Sequence, residues 1–200
     1  PSRSMTRSEA AAIFARLLAE KNGDTISTAA NTKFADIPAH AWYSGYVKYL
    51  SNNGITYGKS KTIFAPNDAI TRAEFTTMAV RFFDVYGDGD AEIMEQFSGF
   101  NDVSSGYWAA EYIKYAALHG WINGYGDGSF HADREINRAE VVTIVNRLLG
   151  READEDYIAD NLRKLNTFPD VTKRHWAYYA VMEAANAHTA VLGESESWSK

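Results

Sequence analysis

Three short stretches set an arginine at the same step of the same motif: Thr6-Arg7-Ser8-Glu9, Thr71-Arg72-Ala73-Glu74 and Asn137-Arg138-Ala139-Glu140. A guanidinium is a planar fork of donors that matches a carboxylate or phosphate edge to edge. The residues around it have a plainer purpose. Thr6, Thr71 and Asn137 are good helix N-caps, and Glu9, Glu74 and Glu140 follow three residues later, the spacing of a capping box. A cation in a first helical turn lies against the positive end of the helix dipole, a placement disfavoured by a few tenths of a kcal/mol, roughly. Its recurrence asks for compensation. Either an anion is held by the guanidinium and the free N–H groups of the turn, or the arginine pairs with an aspartate that also recurs, Asp36, Asp102 and Asp170.

Other chemistry is less well supplied. Glycoside hydrolysis needs two carboxylates facing each other across one cleft, and an acid repeated three times does not build a single asymmetric site. The repeated Asp reads instead as an N-cap or loop brace. Asp84, Asp88, Gly89 and Glu95 fall at positions 1, 5, 6 and 12 of a calcium loop, but Tyr86 fills position 3, where an oxygen ligand belongs. A solvated loop is the reading favoured there. The five histidines have no metal-ligand spacing, and no phosphate-binding loop, nucleophile elbow or dinucleotide fingerprint is present. The pattern predicts no enzyme, no cofactor and no metal. Trp42, Trp108 and Trp176 occupy equivalent places, either packed in a core or offered to a sugar ring.

The composition narrows the partners. A net charge of −6 lacks the basic footprint of a nucleic-acid binder, so an anion can be held only at local positive sites. The absence of cysteine excludes disulfides and thiolate zinc. No apolar run approaches the eighteen or so residues of a membrane span, and no insertion is expected.

The elements that carry these residues repeat. Residues 34–83 and 100–149 align without a gap, with 15 identities in 50 positions, enough to mark one unit used twice. Among them are Phe34/Phe100, Asp36/Asp102, Trp42/Trp108, Tyr46/Tyr112, Gly54/Gly120, Gly58/Gly124, Phe64/Phe130 and Ile70/Ile136. Phe168, Asp170, Val171 and Trp176 open a third copy, and Pro1 to Glu9 match Pro66 to Glu74, so residues 168–200 and 1–18 are expected to share the third unit. Each closing half predicts a capped helix, with Ile13, Phe14 and Leu17, then Phe75, Met78 and Phe82, then Val141, Ile144, Val145 and Leu148 at helical spacing. Each opening half predicts a shorter helix starting at the Trp and ending at Gly54 or Gly120. A tight turn is expected at Asp127-Gly128. The segments 19–33, 84–99 and 150–167 read as linkers, with an extra helix within 151–166. A lone unit of this size buries its apolar face poorly, whereas three packed about an axis bury it well. The expectation is one mostly α domain of three helix–loop–helix repeats with pseudo-threefold symmetry. Its centre would hold Phe14, Leu17, Phe75, Phe82, Ile144 and Leu148.

The succession F-x-D-[IV]-x4-W, G-[IW], G-Y-x-D-G-S-F and [IM]-[TN]-R-[AS]-E resembles the S-layer homology family over nearly the whole chain. The resemblance implies a trefoil-like bundle that holds a surface protein noncovalently on an acidic, pyruvylated cell-wall polysaccharide of Gram-positive bacteria. It implies an extracellular, cell-wall location and a cargo domain in the same polypeptide. Ligand contacts are then expected from Arg7, Arg72 and Arg138 in grooves between repeats, with Gly124, Tyr125, Asp127, Gly128, Trp108 and Trp42 around them. Other readings are a protein-interaction module in surface-layer assembly, or peptidoglycan binding. The copies differ. The first replaces the glycine-rich loop with Gly58, Lys59, Ser60, Lys61, Thr62, Ile63 and Phe64; the second has Asn137 for Thr and Ala132 for Pro. The third has His188 at the helix-ending glycine and Glu194 and Glu196 in its loop, a poor setting for an anion beside Arg7. Arg138, whose own copy keeps the full loop, is the leading ligand group, and Arg72 and Arg138 are expected to be partly exposed.

Overall fold

The long helices begin where a side chain and a backbone amide satisfy each other. In the computed structural model, which describes residues 1–87, 97–191 and 197–199, Thr6 Oγ1 accepts from Glu9 N–H and the Glu9 carboxylate accepts from Thr6 N–H. The same reciprocal pair forms between Thr71 and Glu74 and between Asn137 and Glu140. These capping boxes start α1 (Arg7–Asn22), α3 (Arg72–Tyr86) and α5 (Arg138–Leu148). The shorter helices α2 (Ser44–Asn52), α4 (Ala110–Leu118) and α7 (Tyr178–Ala185) start two residues after Trp42, Trp108 and Trp176, not at them, and have no side-chain cap. Gly54 and Gly120 follow α2 and α4 with φ of +74° and +68°, the left-handed turn that a side chain resists. Within 151–166 lie α6 (Glu155–Asn161) and a short 3₁₀ turn, Leu162–Lys164. Strands β1 (Thr189–Val191) and β2 (Ser197–Ser199) pair antiparallel, with Ala190 opposite Trp198.

The chain forms two compact units, Ser4–Ile136 and Asn137–Lys200 joined by Pro1–Arg3. In the first, α1 packs on α2 and on α3, and α3 on α4. Phe14 lies 5.2 Å from Phe75 and 5.1 Å from Phe82, ring centre to ring centre, and all three are fully buried. On α1 the buried leucine is Leu18; Leu17 and Ile13 are only half-buried. The apolar stripe is therefore turned by one position from the expected one, with Ala11 and Ala15 supplying a close, small-residue face.

Just before each capped helix the backbone is tied to its equivalents. Met5 N–H donates to Ile136 C=O (3.0 Å), Ile136 N–H to Ile70 C=O (3.0 Å), and Ile70 N–H to Met5 C=O (2.9 Å). The three residues stand at matching places in the repeats, are buried, and close a ring in which each gives one bond and takes one. In the second unit α5 packs on α7, and Ile158, Val171, Tyr178, Met182 and Trp198 form the core. Ile144 and Leu148 are buried as expected. Trp198 takes its place through Asp154, whose carboxylate accepts from Trp198 N–H (3.0 Å) and from Tyr157 N–H (2.7 Å).

Candidate functional site

The first-turn amides that an anion would need are already engaged. Arg7 and Ser8 N–H donate to Asp68 and Pro66 C=O, and Arg72 and Ala73 N–H to Arg134 and Ala132 C=O. In the second unit Arg138 and Ala139 N–H donate to Arg3 and Pro1 C=O, both at 3.2 Å. Backbone carbonyls from the loop of another repeat thus occupy the place proposed from sequence for a ligand's oxygens.

The guanidinium groups divide. Arg72 is only 5 % exposed and Arg7 only 4 %, a correction to the partial exposure expected of Arg72. Arg72 Nε donates to Phe130 C=O (2.9 Å) and its Nη2 to Asn123 C=O (3.2 Å), with the guanidinium carbon 4.5 Å from the Phe130 ring centre. Arg7 Nε donates to Phe64 C=O (2.7 Å), and its Nη1 pairs with Glu74 Oε1 at 2.9 Å. Both arginines clamp the end of an aromatic loop. Arg138 is different: it is exposed, and its guanidinium has no partner among the described residues.

The recurring aspartates pair with backbone rather than with these arginines, which corrects the other expectation. Asp36 accepts from Phe64 and Ala65 N–H (2.9 and 2.6 Å), and Asp102 from Phe130 and His131 N–H, both at 2.7 Å. The same phenylalanine is held by its N–H to the aspartate and by its C=O to the arginine. Asp170 instead lies beside Pro1. At Asp102 burial works to raise the pKa, but the Phe130 and His131 amides outweigh it and hold the carboxyl below its ordinary 3.8. A depressed carboxyl stabilises the fold above the unfolded-state pKa and loses that contribution as pH falls through the folded value. Asp102→Asn should therefore shrink the stability difference between neutral pH and pH below about 4 relative to the parent. Denaturant melts at both pH values measure this, and an unchanged difference would contradict the brace.

The three tryptophans are not core residues. Trp42, Trp108 and Trp176 are 55 %, 57 % and 65 % exposed. Trp42 leans edge-on against Tyr43 and Tyr46, and Trp108 lies against Tyr107, whose hydroxyl donates to Asp133 (2.6 Å). The glycine-rich loop makes a tight turn in which Gly128 N–H donates to Tyr125 C=O (2.9 Å) and Tyr125 N–H to Ser129 C=O (2.8 Å), one residue earlier than expected. Asp127 accepts from Ser129 N–H and Oγ–H, which hold its carboxyl below the ordinary value. Tyr125 stays exposed, bonded to Arg134. Gly124 has a packing reason: a Cβ there would come within 2.5 Å of the Phe100 ring, and Gly58 meets Phe34 in the same way. The sequence carried that signal, since both partners recur together, yet it gave no reason to pair them. Asp84 and Tyr86 end α3, whereas residues 88–95 of the calcium-like pattern lie outside the described residues, as do Glu194 and Glu196.

The S-layer homology domain model matches residues 33–76 and 99–142. Cell surface glycoprotein 1 of Acetivibrio thermocellus is 32% identical over 204 residues, covering 98% of this chain and 8% of that protein. The cellulosome-anchoring protein of the same organism is 30% identical over 197 residues, 98% of this chain and 41% of the relative. Exoglucanase XynX, also from Acetivibrio thermocellus, is 32% identical over 149 residues, 74% of this chain and 13% of the enzyme. The chain spans under half the length of these relatives. Its capped arginine helices, braced aromatic loops and exposed tryptophans, at the spacing the model matches twice, make it a member of the S-layer homology family.

Proposed function

We propose that this chain is a non-enzymatic anchor, placing a larger protein on the bacterial cell surface by binding an acidic, pyruvylated cell-wall polysaccharide. The observation that carries the reading is the threefold recurrence of a tryptophan left more than half exposed. An indole buries 150–250 Å² when covered, roughly, and favours a flat apolar face with one polar edge. The less polar face of a sugar ring is such a partner. A glycoprotein, an anchoring protein and an exoglucanase share this segment over less than half of their lengths. Attachment suits all three names, whereas a reaction suits one. No helix among the described residues is long and apolar enough to cross a membrane.

Arg138 supplies the cation in this reading, because it is exposed and uncommitted among the described residues, while Arg7 and Arg72 frame the loops. Lysine keeps the charge but loses the fork that pairs with a carboxylate. Arg138→Lys should weaken sedimentation with purified Gram-positive cell walls nearly as much as Arg138→Ala, by about 1.5–3 kcal/mol, with thermal stability unchanged. Unchanged affinity would remove Arg138 from the site. Binding that survives acid stripping of the polymer would replace the glycan with peptidoglycan or protein.

A further inference from the structure

An asparagine side-chain amide is open to attack by the next backbone nitrogen when the following residue is glycine, because no Cβ stands in the way. The chain has three such pairs: Asn22-Gly23, Asn53-Gly54 and Asn123-Gly124. Two are held shut. Asn22 is the last residue of α1, and Gly23 N–H donates to Glu20 C=O (3.3 Å). Gly54 N–H donates to Ser51 C=O (3.4 Å), and the Asn53 side-chain amide donates to Tyr49 C=O (2.9 Å). A nitrogen that donates a hydrogen bond must give it up before it attacks, and that loss slows the reaction.

At Asn123 the constraints differ. The residue is exposed and lies outside helix and strand, and Gly124 N–H makes no hydrogen bond among the described residues. The carbonyl of the same peptide group is engaged: Asn123 C=O accepts from Arg72 Nη2 (3.2 Å). A peptide nitrogen that loses its proton spreads negative charge onto this oxygen. A guanidinium fixed there favours the nucleophilic form, as any donor aimed at a developing oxyanion does. Arg72 is buried and its Nε is anchored on Phe130 C=O, so the donor is held in place. Nor does the fold admit a bulkier, protective residue after Asn123, since a Cβ at Gly124 would meet the Phe100 ring at 2.5 Å.

We infer that Asn123-Gly124 is a self-modification site, at which the folded chain converts its own asparagine to isoaspartate with the help of Arg72. Gly124 N bonds to Asn123 Cγ, the Cγ–Nδ2 bond breaks, and the side-chain nitrogen leaves as ammonia, taking the Gly124 proton. A succinimide ring remains. Water then opens the ring at one of its two carbonyls. Opening at Cγ gives aspartate; opening at the former backbone carbonyl gives isoaspartate. Arg72 polarises the second carbonyl and directs water to it. The carboxylate released there carries the oxygen that Arg72 already holds, so a bond to a carbonyl becomes an ion pair. The main chain gains one carbon just before Gly124, and the protein gains one negative charge. The site does not depend on the wall-glycan reading.

The test uses the three pairs as controls on one another. The whole chain is incubated at mildly alkaline pH, once folded and once in concentrated guanidinium chloride. Its peptides are then quantified by mass spectrometry with fragmentation that separates isoaspartate from aspartate. In the folded chain Asn123 should convert at least about fivefold faster than Asn22 or Asn53, the factor for first breaking one hydrogen bond. In denaturant the three rates should converge. The isoaspartate share at position 123 should be higher in the folded chain than in denaturant, and Arg72→Ala, incubated well below its melting temperature, should bring it down to the denatured value. Anion exchange of the aged, folded chain should yield a more acidic species that Asn123→Gln does not form. Folded Asn22 or Asn53 converting as fast as Asn123 overturns the site, and so does an Asn123 that converts only in denaturant. An isoaspartate share that is the same in the folded chain, in denaturant and in Arg72→Ala overturns the part given to Arg72. The comparison of folded with denatured chain decides the site even if Arg72→Ala does not fold.

Discussion

Phe82→Ala should lower folding stability by about 3–5 kcal/mol, the usual cost of truncating a fully buried phenylalanine. Phe82 has no exposed surface, stacks on Tyr86 at 4.7 Å and closes on Phe14 at 5.1 Å. Phe14 also touches Phe75, so the three rings hold α1 against α3. Removing one leaves a void bounded by helices that are themselves pinned at their starts by the Met5–Ile70–Ile136 ring of hydrogen bonds. Collapse into the void is restricted, which puts the cost at the high end of the range. Val85→Ala is the control on the same helix, because Val85 is 44 % exposed; its effect should stay within about 0.5 kcal/mol. Urea melts of both variants decide the matter. A loss below roughly 1 kcal/mol for Phe82→Ala would mean that the aromatic cluster does not hold these helices together.

Legibility in the sequence followed the range of the interaction. A capping box is complete within four residues, so the starts of α1, α3 and α5 could be read from Thr6, Thr71, Asn137 and the glutamates after them. The repeat was legible because it is a pattern of identity and needs no structure. Position-specific environment was not. Phe14 and Leu18 are buried while Leu17 is half-buried, and that phase depends on where α3 lies, which α1 alone does not encode. The tryptophans were harder still. Each stands two residues before a short helix, and whether such a ring folds inward is decided by neighbours such as Tyr43 and Tyr107. The same holds for Asp36 and Asp102, whose partners lie 28 and 29 residues onward, at the far end of the loop that each braces. Arg7 and Arg72 share their motif with Arg138, yet only the last is exposed, because Phe64 and Phe130 present carbonyls to the first two.

That division leads to the second large effect. Arg72→Ala should lower stability by roughly 3 kcal/mol, because two hydrogen bonds to a charged group are lost, each in the range of about 1.5–3 kcal/mol and not additive. The carbonyls of Phe130 and Asn123 would lose a donor, and the Phe130 ring would lose a cation at 4.5 Å. For a chain of 200 residues such a loss corresponds to a fall in melting temperature of roughly 6–12 °C. Arg72→Lys should recover only part of it, since one ammonium cannot reach both carbonyls along the directions that Nε and Nη2 take. Arg138→Ala, exposed and without a described partner, should change stability by less than about 0.5 kcal/mol. Thermal melts and wall sedimentation on the same three preparations separate the roles: Arg72 variants should lose stability and bind in proportion to the folded fraction, while Arg138→Ala should stay folded and bind weakly. The opposite pattern, with Arg72→Ala fully stable but unable to bind walls, would show that the buried guanidinium turns outward to the ligand and that the clamp on the aromatic loop is not its purpose.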